Sequence, residues 1–166
     1  MNTQKILSIF MIFAVLTGTM LALGCTEADN ENDIVETENE EEIAITLDEI
    51  INIEWQWSGL IETLPASQSV VPDPENYTIT FSEDGTYSIK ADCNRGSGSY
   101  TLEDNKMTIK PGPITLAYCG PDSLDSQYLS LLSNVTSISI EDEQMILDIG
   151  ENGDRMLFIK AEIAGQ

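Results

Sequence analysis

The residues whose types and spacing come nearest to a reaction centre lie in one stretch, ADCNRGSGSY, residues 91–100. Cys93 is a nucleophile when ionised, and Arg95 is the only nearby cation that would favour its thiolate. Asn94 brings a donor and an acceptor on one short side chain. Behind them, Gly96, Ser97, Gly98 and Ser99 have the composition of a phosphate-binding loop. The spacing argues against that reading. RGSGSY lacks the Lys-Ser/Thr pair of a P-loop, and Gly96-x-Gly98 lacks the third glycine of a dinucleotide fingerprint. It also runs into an alternating strand pattern, so no helix N-terminus follows to hold an anion. For these glycines the expectation is a bulge or tight bend that lets a sheet curl.

The chain has no histidine among its 166 residues. A Ser-His or Cys-His pair is therefore excluded, and so is a His-ligated zinc or iron site. Its three cysteines are too few for a four-cysteine zinc site. The formal charge is −22, from 29 acidic and 7 basic residues. That balance argues against nucleic acid as a partner, because phosphates are held by clustered Lys and Arg. Any catalysis would rest on carboxylates, lysine, tyrosine or an otherwise activated thiol, and no pair of acids stands out for a carboxylate-based hydrolase. No cofactor and no metal is expected. The acidic turns SEDG, EDE and GENGD lack the spacing of a calcium loop and read as ordinary turns with solvated charge.

The elements that would position these residues occupy only part of the chain. Residues 1–24 read as a signal peptide: one charge at Lys5, then an apolar run from Ile6 to Leu23 that ends at Cys25. The ALGC boundary resembles the lipobox of lipoproteins, with Cys25 as the lipidated residue, although Ala22 stands where Leu is usual. The alternative is an uncleaved membrane anchor, since this length just spans a bilayer. Either way the rest of the chain is expected on the extracytoplasmic side, tethered to the cell membrane. Residues 25–49 read as an acidic, disordered tether; residues 26–49 hold 11 acidic residues and no basic one. The folded domain is expected over 50–166, where 18 acidic and 6 basic residues leave −12.

Within it, IEWQWSGLIE places Trp55 and Trp57 on one strand face. PASQSVVPDPEN, residues 65–76, reads as a loop. YTITFSEDGTYSIKAD and GSYTLEDNKMTIKPG read as hairpins around EDG and EDN. PDSLDSQYLSLLSNV predicts one helix over about 122–134, capped by Asp122 or Ser123, with Leu124, Tyr128, Leu131, Leu132 and Val135 on its apolar stripe. TSISI, MILDI and RMLFIKA complete the strands. The expected fold is mainly β (α+β): a single antiparallel sheet, curved or partly closed into a barrel, with one short helix against it.

The order of these blocks resembles the META domain, the module of HslJ-like heat-shock and envelope lipoproteins, over roughly residues 53–161. The family pattern GCN…SGSY, a later Thr and Cys, and a polar helix with a Leu pair is matched by Cys93, Asn94, Gly98, Ser99, Tyr100, Thr115, Cys119, Leu131 and Leu132. Asp92 departs from the usual Gly, a change expected to alter a bulge, and Tyr118 replaces part of a frequent Met-Ala. The resemblance implies an envelope protein associated with stress. It carries no agreed activity or ligand.

With Cys25 assigned to the signal, Cys93 and Cys119 remain as an even pair in an exported domain, where disulfides persist. A bridge would close a loop of 25 residues, worth about 3 kcal/mol in the chain-entropy model. The alternatives are two buried free thiols or, more remotely, a reactive Cys93. Asn94 and Arg95 are left without a structural role and are candidate binding residues. Trp55 and Trp57 are either core or an exposed ligand platform. Asn76 and Asn134 head N-glycosylation sequons, relevant where a host has the machinery. The expected function is a non-enzymatic, membrane-tethered envelope protein that binds an envelope partner or serves in stress resistance. A secreted inhibitor or small-ligand carrier is the second expectation.

Overall fold

A computed structural model describes residues 44–162. The segment read as a signal peptide, Cys25 and most of the residues read as a tether lie outside the described residues. Residues 44–49, grouped with the tether on composition, include a 3-10 turn, Leu47–Glu49. Thr46 N–H and Oγ1 both donate to Glu49 Oε2, at 2.8 and 2.9 Å. A cap of this kind needs only Thr and Glu at the right spacing, so acidic composition did not prevent local order.

Nine strands form one antiparallel sheet. They are β1 Glu54–Thr63, β2 Ala66–Val70, β3 Tyr77–Phe81, β4 Thr86–Ala91, β5 Asn94–Glu103, β6 Lys106–Ile114, β7 Val135–Glu141, β8 Gln144–Ile149 and β9 Asp154–Lys160. From β3 to β9 they pair in chain order, and β1 pairs with both β3 and β9, which curves the sheet into a ring. The seam between β6 and β7 is narrow, with Lys106 and Ser137 as its paired residues. The one α-helix among the described residues, α1 Asp125–Leu132, lies in the connection across that seam. This is the mainly β, single curved sheet expected from the alternation.

Alternate residues point inward because side chains on a strand alternate faces. Trp55, Trp57, Ile79, Phe81, Tyr87, Met107, Ile109, Leu147, Met156 and Phe158 are buried together. Register shifts on the two long strands preserve this pattern. On β1 a shift against β9 falls between Trp57 and Gly59, after which Leu60 faces the core. On β5 a shift against β6 falls between Gly96 and Gly98, as expected for that glycine pair.

Two expectations are corrected, and the two readings of the tryptophans are decided in favour of core: Trp55 is 0% and Trp57 1% exposed, so they form no platform. Their ring N–H groups donate to Ile50 O at 3.1 Å and Gly59 O at 2.8 Å, so both polar handles are satisfied inside. Residues 65–76 are not all loop. They contain β2 and a 3-10 turn, Pro74–Asn76. All five residues of β2 are exposed, so it exists by backbone pairing with β1 and shows no hydrophobic alternation to read. The helix is shorter than 122–134, and neither Asp122 nor Ser123 is its N-cap. Leu124 is the N-cap residue, without a side-chain cap. Its N–H donates instead to Tyr77 Oη at 2.9 Å, while Ser123 Oγ accepts from Asp125 N at 3.3 Å. A tertiary contact thus sets where α1 starts. Val135, placed on the helical stripe, opens β7.

Candidate functional site

β4 and β5 are joined by the two-residue turn Asp92–Cys93. Asp92 has φ 58°, the left-handed region that glycine enters most easily and Asp tolerates better than most. Its departure from the family's Gly therefore acts on this turn and not on the bulge, which lies further along at Gly96 and Gly98.

The turn brings Cys93 and Asn94 against the connector that follows β6. Cys93 and Cys119 form a disulfide with Cα atoms 5.5 Å apart, as expected for an even pair. Cys93 is exposed and Cys119 half-buried. Neither remains a thiol, so the reading of Cys93 as a nucleophile has no support.

Asn94 is 1% exposed and fully occupied. Its Nδ2 donates toward Ala117 O at 3.1 Å, Asp125 Oδ2 at 3.1 Å and Cys119 Sγ at 3.3 Å. Its Oδ1 accepts from Ala117 N at 2.8 Å and Thr115 Oγ1 at 3.1 Å. Thr115 Oγ1 in turn accepts from Arg95 N at 2.9 Å. One buried carboxamide thus holds the β5 start, the connector and the first turn of α1 together. This is its structural role, and it leaves no polar valence to offer a ligand. Arg95 is exposed, with Nη1 donating to the carbonyls of Asp92 at 2.8 Å and Asn94 at 2.9 Å. Its guanidinium tightens the same turn.

The other signature residues serve the frame. Gly98 lies so close to β4 and β6 that an added Cβ would stand 2.5 Å from Tyr87 Oη and would collide with Lys110 O. Tyr100 is buried, donates its hydroxyl to Ser82 O at 2.8 Å and meets Phe81 edge-on at 4.9 Å. Ser99 is exposed on β5, opposite Thr86 and Lys110. On α1, Leu132 is buried and Leu131 half-buried. The sequon residues are engaged at the surface: Asn76 Oδ1 accepts from Lys90 Nζ at 2.9 Å, and Asn134 Nδ2 donates to Ser130 O at 2.7 Å.

What this hardware presents was not legible in the motif. Leu116 is 86% and Tyr118 84% exposed, flanking Ala117, the residue that Asn94 grips by both N–H and C=O. Their only sequence signal is their type: two large apolar residues in a non-periodic segment between Pro113 and Cys119. A groove of about 450 Å³ runs beside them, lined by Asn94, Ala117, Cys119, Pro121, Ser123 and Asp125 among others. A smaller, mainly apolar cavity of about 110 Å³ lies between α1 and the sheet, lined by Tyr87, Ile89, Ser97, Ile114, Leu129 and Leu132 with Pro111 and Gly112. Burial raises the Tyr87 hydroxyl above the usual 10.0. Among the described residues no three carboxylates or thiols converge into a metal-ligand set.

The fold is shared with solved structures. An NMR structure of a protein from Burkholderia xenovorans matches at 25% identity and TM-score 0.54, covering 68% of this chain and 84% of that one. A protein of the DUF4847 family from Bacteroides vulgatus matches at 12% identity and TM-score 0.53, over 66% and 93%. Another NMR structure matches at 18% identity and TM-score 0.55, over 73% and 99%. No curated protein matches. The clasp of Cys93, Asn94, Thr115 and Cys119 sits inside residues 48–163, which match the family model of the META domain, and the chain belongs to that family.

Proposed function

We propose that the chain is an exported lipoprotein, anchored through Cys25, whose META domain is a non-enzymatic module that holds an envelope protein through the Leu116–Tyr118 connector. The observation that carries this reading is the pairing of exposure with rigidity. An aromatic and an aliphatic side chain stand in water on a segment fixed by a disulfide and a buried carboxamide. Exposed Tyr and Leu on a preorganised loop suit an interface anchor, because little ordering entropy remains to be lost on binding. The non-enzymatic reading is supported by the same groups. Both Cys93 and Cys119 are spent in the bridge, and Asn94 is saturated.

The test has two arms. Mass spectrometry of the mature protein should find a lipidated N-terminal Cys25, and a Cys25→Ala chain should lose membrane attachment. A photo-crosslinking residue at position 118 in cells should yield one defined adduct, lost when Leu116→Ser is added. Retention of the first 24 residues would refute the lipoprotein reading. Absence of any adduct would refute the docking reading. A role in envelope stress would appear as sensitivity of a Tyr118→Ser strain to heat.

The cavity between α1 and β4–β6 favours a second reading, a small-ligand module. It is apolar with one hydroxyl group from each of Tyr87 and Ser97 at its wall, the composition of a site for a small ring carrying one polar atom. A thermal-shift series with phenol and indole should raise the melting temperature under this reading, and Leu129→Phe should abolish the rise. No shift with either probe overturns it.

A further inference from the structure

We infer that the outer edge of β2 is a self-pairing edge through which two copies of this chain join antiparallel, centred on Gln68. Among the described residues β2 pairs with β1 alone, through Gly59–Val70, Leu60–Ser69, Ile61–Gln68, Glu62–Ser67 and Thr63–Ala66. Val71 N–H donates to Ser58 O at 3.0 Å. In an antiparallel ladder, hydrogen-bonded pairs alternate with non-bonded ones. Continuing the register from that bond, Ser69 and Ser67 turn their backbone groups toward β1. Ala66, Gln68 and Val70 turn theirs outward, into water.

An outward row of N–H and C=O groups is a template for another strand, and proteins commonly blunt such edges with lysine, proline or charge. This chain does so elsewhere. β6, beside the narrow seam, carries Lys106, Lys110, Pro111 and Pro113. β2 carries nothing of the kind. Residues 65–72, PASQSVVP, hold no charge in a chain of net −22. Its prolines, Pro65 and Pro72, lie outside the strand and leave Ala66–Val70 intact. Leu64 and Val70, each 82% exposed, add apolar surface at its two ends.

Charge and symmetry choose the occupant. Two copies of so acidic a chain repel wherever carboxylates face each other, and β2 itself contributes no charged side chain to the approach. The nearest acidic residues in sequence are Asp73, beyond the strand's end, and Glu62, on the neighbouring strand, whose carboxylate is engaged by Ser67 Oγ at 2.7 Å. Antiparallel self-pairing sets Gln68 against Gln68 and Ala66 against Val70 of the other copy, so the outward N–H of each of Ala66, Gln68 and Val70 finds a carbonyl. Five residues a side bury far less than the roughly 1,200 Å² of a stable interface. The dimer is therefore weak and concentration-dependent. Membrane anchoring as proposed above raises its population by confining the copies, but the pairing itself does not rest on that anchor.

The experiment uses the full chain carrying Gln68→Cys in a Cys25→Ser background, so that no other free thiol is present, in detergent, oxidised with copper phenanthroline. Opposed residues of a hydrogen-bonded antiparallel pair have Cα atoms about 5.5 Å apart, within the range of a disulfide. A disulfide-linked dimer is expected from this variant and none from the Cys25→Ser chain alone. Adding Val70→Pro removes one outward N–H and leaves the bonds to β1 in place, so the dimer should vanish with the melting temperature unchanged. If that variant fails to fold, Ala66→Glu with Val70→Glu sets like charges opposite one another and should also abolish the crosslink. A chain that stays monomeric overturns the inference. So does a dimer that survives both edge variants, which would use another surface. A Gln68→Cys adduct with a different protein also overturns it, because the edge would then serve a foreign strand.

Discussion

The carboxamide of Asn94 and the carboxylate of Asp125, 31 residues apart in sequence, meet at 3.1 Å beneath the connector that carries Leu116 and Tyr118. The same Nδ2 reaches Cys119 Sγ, and the same side chain's Oδ1 holds Ala117 N. The first turn of the only described α-helix is thus tied to the start of β5 through one buried amide.

Two substitutions at Asn94 separate its roles. Asn94→Ala leaves Ala117 N–H and the Asp125 carboxylate without this partner and should cost about 2–3 kcal/mol in urea unfolding. Asn94→Asp keeps the acceptor side but sets a second carboxylate 3.1 Å from Asp125. Neighbouring carboxylates raise the pKa of one of the pair. A raised folded pKa favours the fold at low pH and disfavours it as pH rises. The Asn94→Asp protein should therefore be least stable at pH 7–8 and recover toward pH 4. Equal stability of this variant and the parent at pH 7 would show that the amide donor is dispensable.

The disulfide and Asn94 grip one segment, so their contributions should not add. Cys93→Ser with Cys119→Ser should cost about 3 kcal/mol, because the bridge closes a long loop of the unfolded chain. Combined with Asn94→Ala, the loss should fall short of or exceed the sum, since residues sharing contacts couple by about 0.5–3 kcal/mol. A double-mutant cycle by urea denaturation measures this. Strict additivity would mean that the connector is held by other contacts. Hydrogen exchange should show residues 115–124 opening first in the triple variant.

Gly98 and Gly96 offer an internal comparison on one strand. An added Cβ at Gly98 runs into Tyr87 Oη at 2.5 Å and the rigid Lys110 carbonyl. At Gly96 the nearest atoms belong to the Ile114 side chain, 3.0 Å away, which can rotate. Gly98→Ala should therefore cost about 2–3 kcal/mol and lower the melting temperature by roughly 10 °C. Gly96→Ala should cost less than half as much. The reverse order in a melting curve would show that β6, and not the side chain of Ile114, is the part that yields.

Much of the frame was legible because its physics is local. Alternation at Tyr77–Phe81 and Thr86–Ala91, with EDG between them, specifies a hairpin in any context. The bridge was expected from cysteine parity and from the reading of the N-terminus as an export signal. β2 escaped notice because its residues face water on both sides, so its strand character comes from β1 and not from its own pattern. The start of α1 escaped because Tyr77, 47 residues upstream, supplies the acceptor that a cap would have supplied. Asn94 was visible as a conspicuous residue but not as a clasp, since three of its partners come from a connector without periodicity. The same absence of pattern hid Leu116 and Tyr118.

Tyr128 supplies the last prediction. Its ring stacks on Trp57 at 5.5 Å and meets Tyr77 edge-on at 5.8 Å, completely buried. Its hydroxyl has no hydrogen-bond partner among the described residues, and an unpaired buried hydroxyl costs about 1–3 kcal/mol. Burial, then the neighbouring Tyr87, pushes its ionisation well above the usual 10.0. A folded pKa raised above the unfolded one gives stability that is complete below the unfolded value and lost as pH rises beyond it. The protein should therefore lose stability progressively above about pH 10. Tyr128→Phe keeps the stacked ring and removes both the orphaned group and its titration. It should be neutral or up to about 2 kcal/mol more stable at pH 7, and its alkaline limb should be shallower in urea midpoints taken from pH 8 to 11. A destabilised Tyr128→Phe protein would mean that the hydroxyl has a partner in solution, such as a bound water.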